Sequence, residues 1–286
     1  QGRRRRIEMC RERDMTQKIR LKILLYEMQS RGDLDNSSLL AQLLEAGIDA
    51  GFAEKSLKDL GMDVDRVARH VGRNPADAWV VSAASREVLE WFADQETPAI
   101  AMYGRHKGLP IAAAFTVMIP GLTAAVLRLI DLGHKRIVML AREERRKPQP
   151  SRPEQAFIDE LEAAGITTGT YNLPDWEESP EGLSRLLDEL FRFSPPTALI
   201  FQEAQLFAAV RYHLADRGIV APREVSLVVA DRDPSVDWCD PVPSHIHWDY
   251  RPVVRRVVRW AMNVAGGKED RRQSGTESEF IEGGTI

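Results

Sequence analysis

The sequence predicts an α/β protein in which parallel β-sheets carry helices on both faces, divided into two lobes. Short runs of Val, Ile, Leu and Ala alternate with longer segments of helical period along most of the chain. This alternation is typical of parallel sheets flanked by helices. The chain has about ten such runs, which is many for one sheet. Its 286 residues are enough for two domains of ordinary size.

The composition is that of a soluble globular protein, because 43% of the residues are hydrophobic, 29% are charged and the formal net charge is -4. This balance gives no overall basic field for nucleic acids. Cys10 and Cys239 lie far apart, without the spacing of a zinc site or a disulfide framework. No apolar run approaches the roughly 18 residues of a membrane span. No signal-peptide core is present, although a mature exported protein would also lack one.

Residues 1–15 predict a basic leader, since they carry six arginines and little that a core could bury. Two interpretations stay open. The segment is either a basic arm that binds phosphate backbones or the remnant of a linker.

Strands are predicted from uninterrupted apolar runs, and helices from apolar residues three and four positions apart that end at Gly. In the first half these rules give strands at 19–26, 49–53, 78–82, 98–103 and 111–116, and helices at 37–46, at 64–71, after Ser85 and from Pro120 to Gly133. In the second half they give strands at 137–140, 197–201, 225–230 and 244–248, helices before Gly165 and at 180–191, 205–217 and 252–264, and a surface loop at 141–153.

The predicted strand 225–230 runs directly into Asp231 and Arg232. In open parallel sheets, ligands bind at the carboxyl ends of the strands, so these two residues are candidates for a binding site. The simpler alternative, that Asp231 only caps a loop, stays open.

Signatures of catalysis are missing from the sequence, which has no GxGxxG, P-loop, GxSxG or HExxH motif. The strand ending in Asp231 and Asp233 resembles the nucleophile strand of haloacid-dehalogenase-type phosphotransferases. That family begins with this strand, whereas here it lies near the end of the chain. His245 and His247 alternate along one strand face, but no spacing specifies a third metal ligand. We therefore expect no catalytic residue, no metal and no cofactor.

Four segments together resemble the LacI/GalR family of transcriptional regulators. Leu129 to Leu140 (LIDLGHKRIVML) is similar to the family's HLIxLGHRRIAxI. Pro195 to Phe201 resembles PPTAIF, and Gly218 to Pro234 (GIVAPREVSLVVADRDP) resembles GxxVPxDVSVVGFDDxP. The closing Glu279 to Ile286 also looks like the family's terminal strand. Order and spacing agree over residues 16–286.

The resemblance implies the fold of type I periplasmic binding proteins, with two Rossmann-like lobes that hold a small molecule. It places the N-terminal lobe at 16–131 with 245–267 and the C-terminal lobe at 132–244 with 268–286. It also implies a cytoplasmic homodimer in which a sugar-like effector controls operator binding through a separate headpiece. Upstream of Ile19, 18 residues are too few for a helix-turn-helix headpiece.

Asp231 aligns with the family's first aspartate, which typically hydrogen-bonds ligand hydroxyls, and it is the leading candidate. Other candidates follow strand ends or are aromatic, and each of the aromatic ones also suits a core position. The full set of predicted ligand-binding residues is Asp231, Arg232, Glu203, Arg152, Trp248, Ser82, Glu27 and Tyr103.

This sequence departs from the family pattern at several of its site positions. Arg232 replaces the second aspartate, and Glu203-Ala204 replaces an Asn-Asp pair. The family's arginine aligns with Pro153, which leaves Arg152 one position away, and an aspartate aligns near Val117. A common hexose pocket is therefore doubtful, and the arginines favour a more acidic ligand.

The function expected from the resemblance is the ligand-sensing and dimerisation region of a bacterial LacI-type regulator, binding a sugar, sugar acid or nucleoside. Two alternatives stay open. One is an extracytoplasmic solute-binding protein of a transporter, and the remote one is the phosphotransferase built on Asp231. No membrane partner is expected.

Overall fold

A computed structural model describes residues 19–230 and 233–286, and these form two compact units. The first unit comprises the chain up to Thr116 together with Asp249–Thr276, and the second comprises Val117–Trp248 together with Glu277–Ile286. The chain therefore passes between the units three times. The predicted basic leader, residues 1–15, lies outside the described residues.

Within the described residues, eleven strands alternate with nine α-helices. The strands are β1 (Arg20–Leu24), β2 (Asp49–Phe52), β3 (Ala78–Ser82), β4 (Ala99–Met102), β5 (Ala112–Val117), β6 (Ile137–Leu140), β7 (Ala198–Phe201), β8 (Ser226–Val229), β9 (Ser244–His247), β10 (Gln273–Glu277) and β11 (Glu279–Ile281). The helices are α1 (Leu34–Glu45), α2 (Val64–Arg73), α3 (Arg86–Ala93), α4 (Ile119–Asp131), α5 (Glu143–Arg146), α6 (Arg152–Ala163), α7 (Pro180–Phe193), α8 (Ala204–Ala215) and α9 (Arg251–Ala265). Short 3-10 helices cover Met28–Gly32 and Pro234–Trp238.

The first unit holds a six-stranded sheet in the order β10-β5-β4-β3-β1-β2, and its strands β1 to β5 pair in parallel. Successive residues of a strand face opposite sides, so these buried strands need apolar residues at every position. In β3, Val80 packs with α1 and α9 on one face, and Trp79 and Val81 pack with α2 and α3 on the other. The apolar runs in the sequence have this physical origin.

The second unit repeats the plan with a five-stranded sheet in the order β11-β9-β8-β7-β6. Strands β6 to β9 are parallel and β11 is antiparallel to β9. Helices α7 and α8 cover one face, while α4 and α6 cover the other. The predicted fold class, two parallel α/β sheets with helices on both faces, is confirmed.

Local capping explains where several helices begin. The Ser179 side chain accepts a hydrogen bond from the Gly182 N–H at 3.0 Å, and Pro180 occupies the first position of α7. Ser85 accepts from the Val88 N–H at 3.3 Å in the same way at α3. Both starts agree with the sequence prediction.

The structure divides the chain differently from the expected lobes. Helix α4 and strand β9, which the expected division assigns to the first lobe, pack with the second sheet. Strand β10, which lies in the range expected for the second lobe, pairs at the edge of the first sheet. The sequence of a four-residue strand such as SHIH does not indicate which of the two sheets the strand joins. The lobe to which β9 belongs could therefore not be predicted from its residues.

Two further segments differ from prediction. The expected surface loop 141–153 contains α5, and Arg146 of that helix is buried. Strand β10 (QSGTE) has no apolar run because four of its five residues are exposed, and the sequence therefore gave no signal for it.

Candidate ligand-binding site

The parallel strands of each sheet end at one edge, which we call the carboxyl edge of that sheet. The first sheet's carboxyl edge carries Glu27, Ser82 and Tyr103, and that of the second carries Glu203 and Trp248. In parallel α/β sheets this edge is where ligands bind.

Glu27 follows β1 and is held in place by a neighbour from the loop after β2. Its Oε2 lies 3.2 Å from the Lys58 ammonium, and that ammonium lies 5.9 Å from the centroid of the Tyr26 ring. The carboxylate is half-buried and the lysine is more exposed. Glu27 is therefore a paired anion at the end of β1.

Tyr103 follows β4 in a left-handed backbone conformation, with φ of 65°. Few non-glycine residues adopt this conformation, and strain of this kind is concentrated at functional sites. The Tyr103 hydroxyl donates a hydrogen bond to Asp35 Oδ2 at 2.9 Å, which joins the end of β4 to the start of α1. The same ring packs against the core of the first unit.

The turn after β3 is joined closely to the turn after β4. Ser82 is the buried last residue of β3, and Ala83 also has a positive φ, of 53°. A Cβ on Gly104 would lie 2.7 Å from the Ala84 carbonyl oxygen, so the close contact requires glycine. The Arg105 N–H donates to that same carbonyl at 3.1 Å. These two turns therefore form a tightly packed part of the edge.

Sequence reasoning missed two polar residues on the first unit's carboxyl edge. His106 is buried with its ring centroid 4.3 Å from that of Phe115, and burial lowers the pKa of this imidazole. Within the described residues the buried hydroxyl of Thr116, near the end of β5, has no hydrogen-bond partner. An apolar run that ends in a hydroxyl residue was the available signal for Thr116.

Glu203 follows β7 and pairs with Arg142, which follows the neighbouring strand β6. The Arg142 Nε atom donates a hydrogen bond to Glu203 Oε2 at 2.9 Å, and the Nη2 atom lies 2.8 Å from the same oxygen. Arg142 Nη1 also lies 3.5 Å from Glu178 Oε2. The other oxygen of Glu178 accepts a hydrogen bond from the Glu143 N–H. We call Arg142, Glu178 and Glu203 the arginine-glutamate cluster.

The remaining predicted residues of the second unit have different surroundings. Trp248 follows β9 and packs partly buried against the core of this unit, which is the core alternative considered for the aromatic candidates. Arg152 is exposed as the first residue of α6. Asp231 and Arg232 lie outside the described residues, so their roles stay predictions. The described strand before them ends at Val229, and the buried Ala230 donates its N–H to the Phe201 carbonyl.

The basic segment after Arg142 is fixed by ion pairs. Arg145 Nε lies 2.6 Å from Oε1 of Glu154, whose side chain is 0% exposed. The buried Arg146 pairs with Asp175 and donates to the Ala141 carbonyl at 2.9 Å. Lys147 contacts the second oxygen of Asp175 at 2.9 Å. Asp175 is 29 residues from Arg146, so the sequence pattern did not show this pairing and predicted a surface loop.

Among residues 19–230 and 233–286, no three His, Cys, Asp or Glu side chains form a group that could hold a metal ion. His245 is buried with Nδ1 3.0 Å from the Pro243 carbonyl oxygen, and its ring centroid lies 6.4 Å from that of His247. No helix in the described part of the chain is long and apolar enough to cross a membrane.

Each of the two α/β units carries polar side chains at the carboxyl ends of its parallel strands. A family model described as a periplasmic binding protein-like domain matches residues 126–286, more than half of the chain. The chain belongs to this family. Comparison with curated protein sequences gives no match.

Solved structures of regulators share the fold. The transcriptional regulator CelR in complex with cellobiose is 16% identical with a TM-score of 0.75, over 93% of this chain and 84% of the other. A LacI family regulator from Enterococcus faecium with bound ribose is 16% identical with a TM-score of 0.71, over 93% and 98%. A periplasmic binding protein/LacI transcriptional regulator from Alkaliphilus metalliredigens, complexed with D-xylulofuranose, is 12% identical with a TM-score of 0.70, over 93% and 98%. The fold implied by the LacI/GalR resemblance is confirmed.

Proposed function

We propose that this chain is the ligand-sensing region of a LacI-type transcriptional regulator and that it binds a small polar molecule at the carboxyl edges of its two sheets. The observation that carries the proposal is the set of polar and charged side chains at these edges, in a chain that belongs to this family. Glu203 and Arg142 follow adjacent strands in one unit, and Glu27 and Tyr103 follow strands of the other. Similar proteins of this fold bind cellobiose, ribose and D-xylulofuranose.

The proposal includes the regulatory partners expected from the resemblance. Binding of the effector favours one arrangement of a homodimer, and that preference changes the affinity of a DNA-binding headpiece for its operator. In this proposal the two units bind a ligand and do not catalyse a reaction. The proposed location of the protein is the cytoplasm.

Asp231 remains the leading proposed ligand residue, because it follows the buried strand β8 in sequence and a carboxylate accepts hydrogen bonds from sugar hydroxyls. We expect a thermal-shift screen of sugars, sugar acids and nucleosides to identify a stabilising ligand. At 100 times its dissociation constant, a ligand should add about 2.7 kcal/mol to the free energy of unfolding.

Two matched variants test the residue assignment. Asp231→Ala should remove the ligand-induced shift, whereas Asp216→Ala, which removes an exposed carboxylate beyond the end of α8, should keep it. A full screen without any stabilising ligand would contradict the proposed function. An unchanged shift in Asp231→Ala would contradict only the role of this residue.

A further inference from the structure

The arginine-glutamate cluster places a net negative charge at the carboxyl edge of the second sheet. One guanidinium faces two carboxylates, and their side chains are 24%, 20% and 28% exposed for Arg142, Glu178 and Glu203. Two of the three follow the neighbouring strands β6 and β7. Water screens charges in such half-buried positions less than it screens fully exposed ones. A ligand at this edge therefore meets a local charge of about minus one.

Other cations of the same segment do not offset this charge. Arg145 is paired with the buried Glu154, Arg146 with Asp175, and Lys147 with both Asp175 and Glu143, so these three cations meet three carboxylates. Arg152 is exposed at the start of α6, where water and salt weaken its field. Asp231 and Arg232, which lie outside the described residues, have opposite formal charges. The expectation of a more acidic ligand rested on Arg152 and Arg232.

The geometry of Glu203 leaves one oxygen for a ligand. The Nε hydrogen bond and the Nη2 ion-pair contact from Arg142 are both made to Oε2. No other described residue donates a hydrogen bond to Oε1 of this carboxylate. An ionised carboxylate oxygen only accepts, so it can receive a hydroxyl or an ammonium group but repels a carboxylate or phosphate. Arg142 thus acts as a positioning residue that fixes the orientation of the Glu203 carboxylate.

We infer that the arginine-glutamate cluster makes this site selective for neutral or cationic sugar-like ligands and against sugar acids and sugar phosphates. Glu203 Oε1 accepts a hydrogen bond from a ligand hydroxyl or ammonium, Arg142 orients that carboxylate, and Glu178 keeps the cluster negative. This inference rests on the ligand-binding function proposed above and names the ligand class of the same site.

The test compares ligands that share one skeleton and differ in charge. Hexoses of the gluco, galacto and manno series, their 2-amino derivatives and their uronic acids are titrated calorimetrically against the whole chain at pH 7. For the series that binds, we expect the uronic acid to bind at least about tenfold more weakly than the neutral sugar, as one unit charge at close range would cause. Added salt should reduce this ratio.

Single substitutions then change the net charge of the arginine-glutamate cluster by one unit each. Glu178→Gln raises it to zero and should lower the neutral-to-uronate affinity ratio by about tenfold. Arg142→Gln makes it more negative and should raise the amino-sugar-to-neutral ratio by a similar factor, whereas a purely structural role would weaken both ligands equally. Glu181→Gln, which removes an exposed carboxylate on α7, should leave both ratios unchanged.

The outcomes separate the inference from the function on which it rests. If the wild-type chain binds a uronic acid as tightly as its neutral sugar, the inference is overturned and the proposed function stands. If no sugar of any charge binds, the proposed function itself fails. The titrations of the wild-type chain with the neutral, amino and acidic sugars test the inferred selectivity even if a variant does not fold.

Discussion

Asp270 shows how a single buried carboxylate organises part of the first unit. It accepts hydrogen bonds from Arg256 at 2.9 and 3.1 Å, from Asn263 at 2.8 Å and from Arg272 at 3.1 Å. Only 4% of its side chain is exposed. The Arg272 hydrogen bond, with those from Asn263 and the charge of Arg256, holds the pKa of Asp270 far below its ordinary value. The carboxylate thereby ties the turn after α9 to that helix.

Replacing this carboxylate should be costly. We expect Asp270→Asn to lower the free energy of unfolding at pH 7 by about 3 kcal/mol, because the buried Arg256 guanidinium would lose its counter-charge. Urea titrations of the variant and the parent chain measure the difference. Glu269→Gln removes an exposed neighbouring carboxylate and should change stability by less than about 0.5 kcal/mol.

The same residue predicts a pH dependence with a definite sign. Because the pKa of Asp270 is lower in the folded than in the unfolded chain, where it is about 3.9, its contribution is complete above about pH 4 and is lost as the pH falls further. Between about pH 4.5 and 2.5 the stability of Asp270→Asn should fall less steeply than that of the parent. Equal slopes would show that Asp270 does not carry this acid sensitivity.

At the scale of elements, Gly121 permits helix α4 to approach the edge of the second sheet. A Cβ at this position would lie 2.7 Å from Ile246 Cγ2 and 2.8 Å from Ser278 Oγ. Ser278 Oγ also accepts the Gly121 N–H at 3.2 Å, which fixes the helix against the segment before β11. Neither neighbour can move freely, since Ile246 is fully buried and Ser278 nearly so.

We predict that Gly121→Ala destabilises the protein by about 2 kcal/mol, the usual cost of overpacking a core contact. Gly72→Ala is the matched control in α2. A Cβ there would meet nothing within 4 Å, so the higher helix propensity of alanine should add about 0.5 to 1 kcal/mol. Thermal and urea unfolding of the two variants would give shifts of opposite sign, and a stabilising Gly121→Ala would contradict the close packing.

The sequence specifies elements well where local signals and burial coincide. In α7, Ser179 and Pro180 mark the start, and Leu183, Leu187 and Leu190 lie on its buried face. The edge strand β10 is mostly exposed, so nothing apolar marks it. Its pairing with β5 depends on backbone hydrogen bonds, such as the one from the Ala113 N–H to the Arg272 carbonyl, which any sequence can make.

The sequence places Glu203 and Tyr103 near strand ends, but it does not show which side chains they contact. Glu203 was identified from its alignment with the family's Asn-Asp pair, and Tyr103 from its position at the end of a predicted strand. Their partners Arg142 and Asp35 are 61 and 68 residues away in the chain. A single sequence does not show which residues so far apart come into contact. Only the fold shows that Arg142 contacts two glutamates, and the inferred preference for neutral or cationic ligands rests on that contact.

Each unit of the whole molecule has its own core. The buried clusters on the two faces of the first sheet contain only residues of the first unit, and those of the second sheet contain only residues of the second. The final residues of the chain are part of the second core structure. Thr285 is 1% exposed, its hydroxyl donates to the Leu227 carbonyl at 2.6 Å and accepts the Ser244 N–H at 2.9 Å.

We therefore predict that a substitution at Thr285 lowers the stability of the second unit and leaves that of the first unit unchanged. Thr285→Val keeps the shape but leaves the Leu227 carbonyl and the Ser244 N–H without partners, at a cost of about 2 kcal/mol. Hydrogen exchange followed by mass spectrometry should show faster exchange in β8 and β9, while β1, β3 and β4 keep their protection, because local stability follows separate cooperative units. Thr285→Ser, which retains the hydroxyl, should preserve most of the protection. Equal loss of protection in both sheets would mean that the two cores unfold as one unit, despite sharing no residue.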